Sequence, residues 1–131
     1  MAETTSIFST LNPPMQDWHG KTVWLIGAST GIGRATASAL HGLGARVIVS
    51  ARHAQAPHDF VAAHPAVDAQ GHATAVALPL DVAEAGAVQA AAQTILQTGL
   101  IVCAMFCAGF FKELRATEYK LSDMLQHQQV N

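Results

Sequence analysis

Three glycines, Gly27, Gly31 and Gly33, fall within seven residues of one another, between a short apolar run and a stretch of helical periodicity. The segment from Thr22 to Leu43 reads TVWLIGASTGIGRATASALHGL. Val23, Trp24, Leu25 and Ile26 make a run of strand length, and Ile32, Ala35, Ala39, Leu40 and Leu43 then recur at helical spacing. A strand therefore passes into a helix across Gly27 to Gly33. Gly27 permits the tight exit, Gly31 lets a ligand approach bare backbone, and Gly33 lets the helix lie close to the sheet. The opening of that helix presents amides without partners and a partial positive charge, so the guest that fits is a phosphate. The candidate contacts are Gly27, Ser29, Thr30, Gly31, Ile32 and Gly33. The spacing is GxxxGxG, which differs from the GxGxxG dinucleotide fingerprint and lacks the GK[ST] ending of a nucleoside-triphosphate loop. Taken alone it is also compatible with simple turn chemistry.

Two further groups have types suited to the same ligand. In NAD-binding sheets a carboxylate about 20 positions after the glycine loop takes the ribose hydroxyls. Here the second strand ends Ser50-Ala51-Arg52. A guanidinium at that place suits the extra phosphate of NADP, with charge-assisted contacts of about 1.5 to 3 kcal/mol, or roughly ten- to a hundredfold in affinity. NADP(H) is therefore expected in preference to NAD(H); the plainer reading of Arg52 is a solvated loop residue. Asp81, with Glu84 three residues on, could also cap the helix that follows it.

These residues need a scaffold of alternating strands and helices. Gly42 and Gly44 stop the first helix, and Ala45 to Ser50 is a second, β-branched strand, completing a strand-helix-strand unit with a right-handed crossover. Ala51 to Gly71, with Pro57 and Pro65, reads as a loop and a short or broken helix. Thr74 to Leu80 is a third strand, and Pro79 within it argues for the edge of the sheet. Ala83 to Thr98 carries Val88, Ala91, Ala92, Ile95 and Leu96 on one helical face. Leu100 to Phe106 is a fourth strand, apolar throughout, as for a parallel strand covered on both faces. From Thr117 onward a helix is expected, with Leu121, Met124 and Leu125 as its apolar stripe. The fold class is thus α/β, a doubly wound parallel sheet in the order 3-2-1-4, with a ligand crevice where the order reverses, between the glycine loop and Ala108-Gly109.

The chain has 131 residues, half of them hydrophobic, enough for one domain with a real core. Residues 1–17, polar and with Pro13 and Pro14 adjacent, read as a loose arm ahead of a single domain over 18–131; Met15 is an alternative start. A net charge of −2 with seven Lys and Arg provides no cationic field for nucleic acid. No apolar run reaches the roughly 20 residues of a membrane helix, and no signal peptide is evident, so the expected location is cytoplasmic. Cys103 and Cys107, about 13 Å apart if on one strand, read as buried thiols. His53, His58 and His64 lack zinc spacing and read as a solvent-facing loop, so no metal is expected.

The words GASTGIGRA closely resemble the cofactor loop of the short-chain dehydrogenase/reductase family, and the resemblance extends from about Gly20 to Asn131. It implies a Rossmann-like sheet, here about four strands of it. Leu80-Asp81-Val82 matches the family's Asp-Val pair, which implies that Asp81 and Val82 meet the adenine. Phe106-Cys107-Ala108-Gly109 stands where the family usually has Asn-Asn-Ala-Gly; Ala108 and Gly109 are kept and would lie against the cofactor ribose, while both amides are gone. Val130-Asn131 resembles the pair holding the family's catalytic Asn, which makes Asn131 the catalytic candidate. The family's Ser and Tyr-x-x-x-Lys are missing, since Tyr119 is the lone tyrosine and Asp123 stands four residues later.

The resemblance implies the amino-terminal, cofactor-binding half of an NADP(H)-dependent oxidoreductase acting on a carbonyl or secondary alcohol. On this reading the chain is truncated, inactive alone, and left with its apolar fourth strand as an open edge. The alternative is a non-enzymatic nucleotide-binding or self-association module, a homo-oligomer formed through that edge or the last helix. A methyltransferase-like binder of S-adenosylmethionine fits the architecture but not Arg52 in the acid's place.

Overall fold

The computed structural model describes residues 13–131. Most of the arm expected over 1–17 therefore lies outside the described residues; Pro13 to Asp17 are exposed and irregular. The elements in order are β1 (Thr22–Ile26), α1 (Gly31–Gly42), β2 (Arg46–Ser50), α2 (Gln55–Ala63), β3 (Ala75–Ala77), α3 (Ala87–Leu96), β4 (Ile101–Phe106) and, after a single 3-10 turn at Ala116–Glu118, α4 (Leu121–Val130). The strands form one parallel sheet in the order β3-β2-β1-β4, the Rossmann-like order expected.

β1 is central and buried along its whole length because both of its faces are apolar. Val23 and Leu25 join Val47, Val49, Ala37, Leu40 and Phe60 on the side of α1 and α2. Trp24 and Ile26 join Ile48, Leu80, Ala91 and Ile95 on the side of α3. Each large side chain so buried contributes about 1.5–3 kcal/mol. The Trp24 indole stays within this apolar layer by donating to the buried Ser50 Oγ at 2.9 Å.

β3 shows why Pro79 is tolerated. The amides of Leu78 and Leu80 donate to the carbonyls of Val49 and Ala51, at 2.9 and 3.0 Å, so the intervening nitrogen faces away from β2 at the open edge. The strand proper is shorter than the Thr74 to Leu80 expected. The third helix also begins later than Ala83: Asp81 Oδ1 accepts from the Ala83 amide at 2.9 Å, and its carbonyl accepts from Glu84 at 3.2 Å, making a turn ahead of the helix and not a helix cap.

Helix faces differ from the periodic expectation. The inner face of α1 is Gly33, Ala37 and Leu40, while Ile32 and Leu43 are exposed, because the sheet lies too near this helix for a larger residue at its first turn. In α3 only Ala91 and Ile95 are buried. The sequence predicts β4 to be covered on both faces; Cys103 and Met105 pack on the core, but Val102, Ala104 and Phe106 are exposed, since the strand is at the sheet's edge and, among the described residues, that face is left uncovered. In α4 the stripe of Leu121, Met124 and Leu125 faces outward, and Asp123 and Val130 are the buried residues. No helix of the described residues is long and apolar enough to cross a membrane.

His64 is not simply solvent-facing. Its ring stacks on Phe60 at 4.0 Å and meets the edge of His41 at 5.0 Å, while Thr74 Oγ1, which donates to the Ala66 carbonyl, accepts from His41 Nε2 at 2.9 Å. Burial first, and then the nearby His64, lower the His41 pKa below 6.5. The folded state thus takes up this proton less readily than the unfolded chain. Stability from this site is present above the unfolded pKa and is lost as pH falls through the folded one. The urea midpoint is expected to fall from pH 7 to pH 5, and to fall less in His41→Gln; equal declines in the two chains would contradict this.

Candidate functional site

β1 and β4 lie side by side, but the chain leaves β1 toward β2 on one flank while β4 stands on the other, so a crevice opens at their carboxyl ends. It measures about 170 Å³ and is lined by Ile26, Gly27, Ser29, Thr30, Ala51, Arg52, Leu80, Val82, Cys107, Ala108, Gly109 and Val130. That is below the roughly 300–1,000 Å³ of whole small-molecule sites, so the groove would take only part of a long ligand.

Close backbone contact shapes the groove. Gly27 has φ +92°, and a Cβ there would come within 2.2 Å of the Ala108 nitrogen. Cys107 N–H donates to the Ile26 carbonyl at 2.7 Å, and Gly27 N–H to the Ser50 carbonyl at 2.8 Å, which ties three strand ends together. A Cβ on Gly33 would sit 2.4 Å from the Gly27 carbonyl oxygen, so α1 starts directly against the turn. Gly31 is different: its φ is +59° and nothing lies within 4 Å of a Cβ built there, leaving open space at the start of α1. Thr30 occupies the N-cap in extended backbone, and its hydroxyl makes no capping hydrogen bond. The helix opening thus combines amides lacking intrahelical partners with a hydroxyl that does not cap them.

Of the residues singled out from the sequence, Gly27, Ser29, Thr30, Arg52, Val82, Ala108 and Gly109 line the crevice. Gly31, Ile32 and Gly33 form the first turn of α1 beside it, with Ile32 82% exposed. Asp81 is half-buried and turned to the Ala83 amide. Asn131 is placed beyond the lining: its Oδ1 accepts from Phe110 N–H at 2.7 Å and its Nδ2 donates to the Phe110 carbonyl at 2.9 Å. Arg52 is exposed, and among the described lining residues it alone carries a formal charge. Ile26, Ala51, Leu80, Cys107 and Val130 also line the crevice, although the sequence did not single them out as contacts. Each lies within or beside a quoted motif; Val130 is brought to the crevice from α4 by the fold.

A larger cavity of about 600 Å³ lies at the opposite, amino-terminal end of the strands, among His19, His41, Gly44, Val67, Asp68 and Thr74. Size alone would favour it, but it holds no helix opening and no topological switch. The smaller crevice has both.

A sequence profile described as short chain dehydrogenase matches residues 21–131. No curated protein matches. Among solved structures, a dehydrogenase/reductase from Sinorhizobium meliloti 1021 is similar at 27% identity and TM-score 0.73, over 86% of this chain and 44% of that one. A structure named ribose-5-phosphate isomerase, from Brucella melitensis 16M, is similar at 28% identity and TM-score 0.75, over 88% of this chain and 42% of that one. The protein gox2181 shares the fold at 22% identity and TM-score 0.75, over 86% and 43%. The chain spans less than half the length of each of these three structures.

Proposed function

This chain belongs to the short-chain dehydrogenase family, and from that membership we propose that its crevice binds NADP(H), as the cofactor-binding portion of an oxidoreductase acting on a carbonyl or secondary alcohol. The observation that carries the reading is the meeting, in one groove at the switch point, of the glycine turn, Arg52, Val82 and Ala108-Gly109 from four separate strand ends. The groove suits the group: the open space at Gly31, the Thr30 hydroxyl, which makes no capping bond, and the first amides of α1 make a cradle that a side chain at position 31 would crowd. Arg52 is the residue that would hold a 2′-phosphate, Asp81 and Val82 would flank the adenine, and Ala108 and Gly109 the ribose. When bound, the nicotinamide supplies or accepts a hydride. The residues of this chain orient the cofactor, and Asn131 holds the segment after Gly109. The family's proton donor is not among them, so the chain alone is expected to bind without turnover. A reducing compartment, the cytoplasm, suits the free thiols Cys103 and Cys107.

Calorimetry with NADPH and NADH tests this. NADPH should bind at least ten times more tightly; equal affinity would remove the preference, and no binding of either would remove the function. The exposed Val102 and Phe106 on the open β4 edge favour a second reading, self-association. Light scattering showing a defined dimer that ignores both nucleotides would favour that reading instead.

A further inference from the structure

Two side chains of α4, at positions 123 and 127, and that of its C-cap, Asn131, follow one another at i, i+4 and i+8 and all reach the same short segment, Phe110 to Lys112. Asn131 pairs with both backbone groups of Phe110, at 2.7 and 2.9 Å. Asp123, only 7% exposed, accepts from Lys112 Nζ at 2.8 Å through Oδ1, while its Oδ2 is buried without a partner. His127 sits between them. Its Nε2 lies 3.3 Å from the Lys112 amide, its Nδ1 lies 2.6 Å from the Asp123 carbonyl, and the Phe110 ring meets it edge-on at 4.7 Å.

These partners dictate one form of the imidazole. A backbone amide can only donate, so Nε2 must present its lone pair; a carbonyl can only accept, so Nδ1 must carry the hydrogen. The neutral Nδ1–H tautomer satisfies both. A second proton, on Nε2, would set N–H against N–H and release the Lys112 amide. The charged groups facing the ring are Lys112 from the segment and Asp123 from its own helix, and these are paired with each other. Gly109, which lines the crevice, directly precedes this fastened segment.

We propose that His127 is a positioning residue: in its neutral form it fastens Phe110–Lys112 to α4 and so fixes the Gly109 wall of the crevice, and its protonation loosens that wall. The effect on cofactor affinity rests on the dinucleotide reading above; the effect on the wall does not.

The test uses the whole 131-residue chain and His127→Gln, which retains a neutral donor and acceptor but cannot charge. In the parent chain the Gly109 and Lys112 amide resonances should follow the titration of the His127 ring between pH 8 and pH 5, and in His127→Gln they should not move with it. Protonation of the NADPH 2′-phosphate acts on both chains alike. The ratio of the parent dissociation constant to that of the variant is therefore what is read, and it should rise three- to tenfold over the same span. Amides that ignore the His127 titration, or a ratio constant with pH while NADPH binds, would overturn the proposal. If NADPH binds neither chain at any pH, the dinucleotide reading fails, and the amide resonances alone decide the positioning role.

Discussion

Gly27→Ala is expected to destabilise the fold by about 3 kcal/mol or more, a large part of the roughly 5–15 kcal/mol that holds a domain together. Two effects add. Holding an L-residue in the left-handed region, at φ +92°, disfavours the native state by about 1–2 kcal/mol. The new methyl would also lie 2.2 Å from the nitrogen and 2.4 Å from the Cα of Ala108. Those atoms are backbone, with no flexible side chain to move aside, so the ends of β1 and β4 must separate. Separation breaks the 2.7 Å bond from Cys107 N–H to the Ile26 carbonyl and opens the crevice at its base. Gly31→Ala is the control: its φ is also positive, but the space around it is open, so only the backbone term applies. Urea denaturation should rank the chains parent, then Gly31→Ala, then Gly27→Ala. A midpoint for Gly27→Ala equal to the parent's would show that the two strand exits are not locked together as described.

Arg52→Ala is expected to weaken NADPH binding ten- to a hundredfold and to leave NADH binding within about threefold, because the loss is one charge-assisted contact of about 1.5 to 3 kcal/mol. Arg52 is exposed, so its removal opens no cavity in the core and thermal unfolding should be unchanged. Arg52→Lys should recover only part of the affinity, since an ammonium keeps the charge and loses the planar fork. Calorimetry on the three chains checks this. Equal losses for the two cofactors would place Arg52 on a part of the ligand that both share, and no loss for either would return it to solvent.

The motifs were legible because each combines a local backbone requirement with a fixed place on a strand end. Thr22 to Gly33 must leave a strand and enter a helix whatever surrounds it, and Pro79 cannot donate to a ladder wherever its strand lies. Helix faces were less legible. Periodicity detects large apolar side chains, and so it rightly selected Leu40 in α1 but also Ile32 and the C-cap Leu43, which are exposed, and it missed the buried Gly33 and Ala37. There the sheet selects for smallness, which leaves no hydrophobic signal. In α4 the apolar stripe of Leu121, Met124 and Leu125 faces outward, and a charged residue, Asp123, is buried together with Val130, because Lys112, eleven residues distant in sequence, donates to one oxygen of its carboxylate.

The strands, the helices and the glycine turn between β1 and α1 were thus set by local sequence, since φ preferences and alternating or continuous apolar runs act over a few residues. Tertiary structure alone decided that Gly27 meets Ala108, that Val130 closes the crevice from a distant helix, and that Asn131 and His127 are engaged with the segment following Gly109. Those facts depend on distances between chain segments far apart in sequence, and such distances are set only when the two apolar faces of β1 are covered at once.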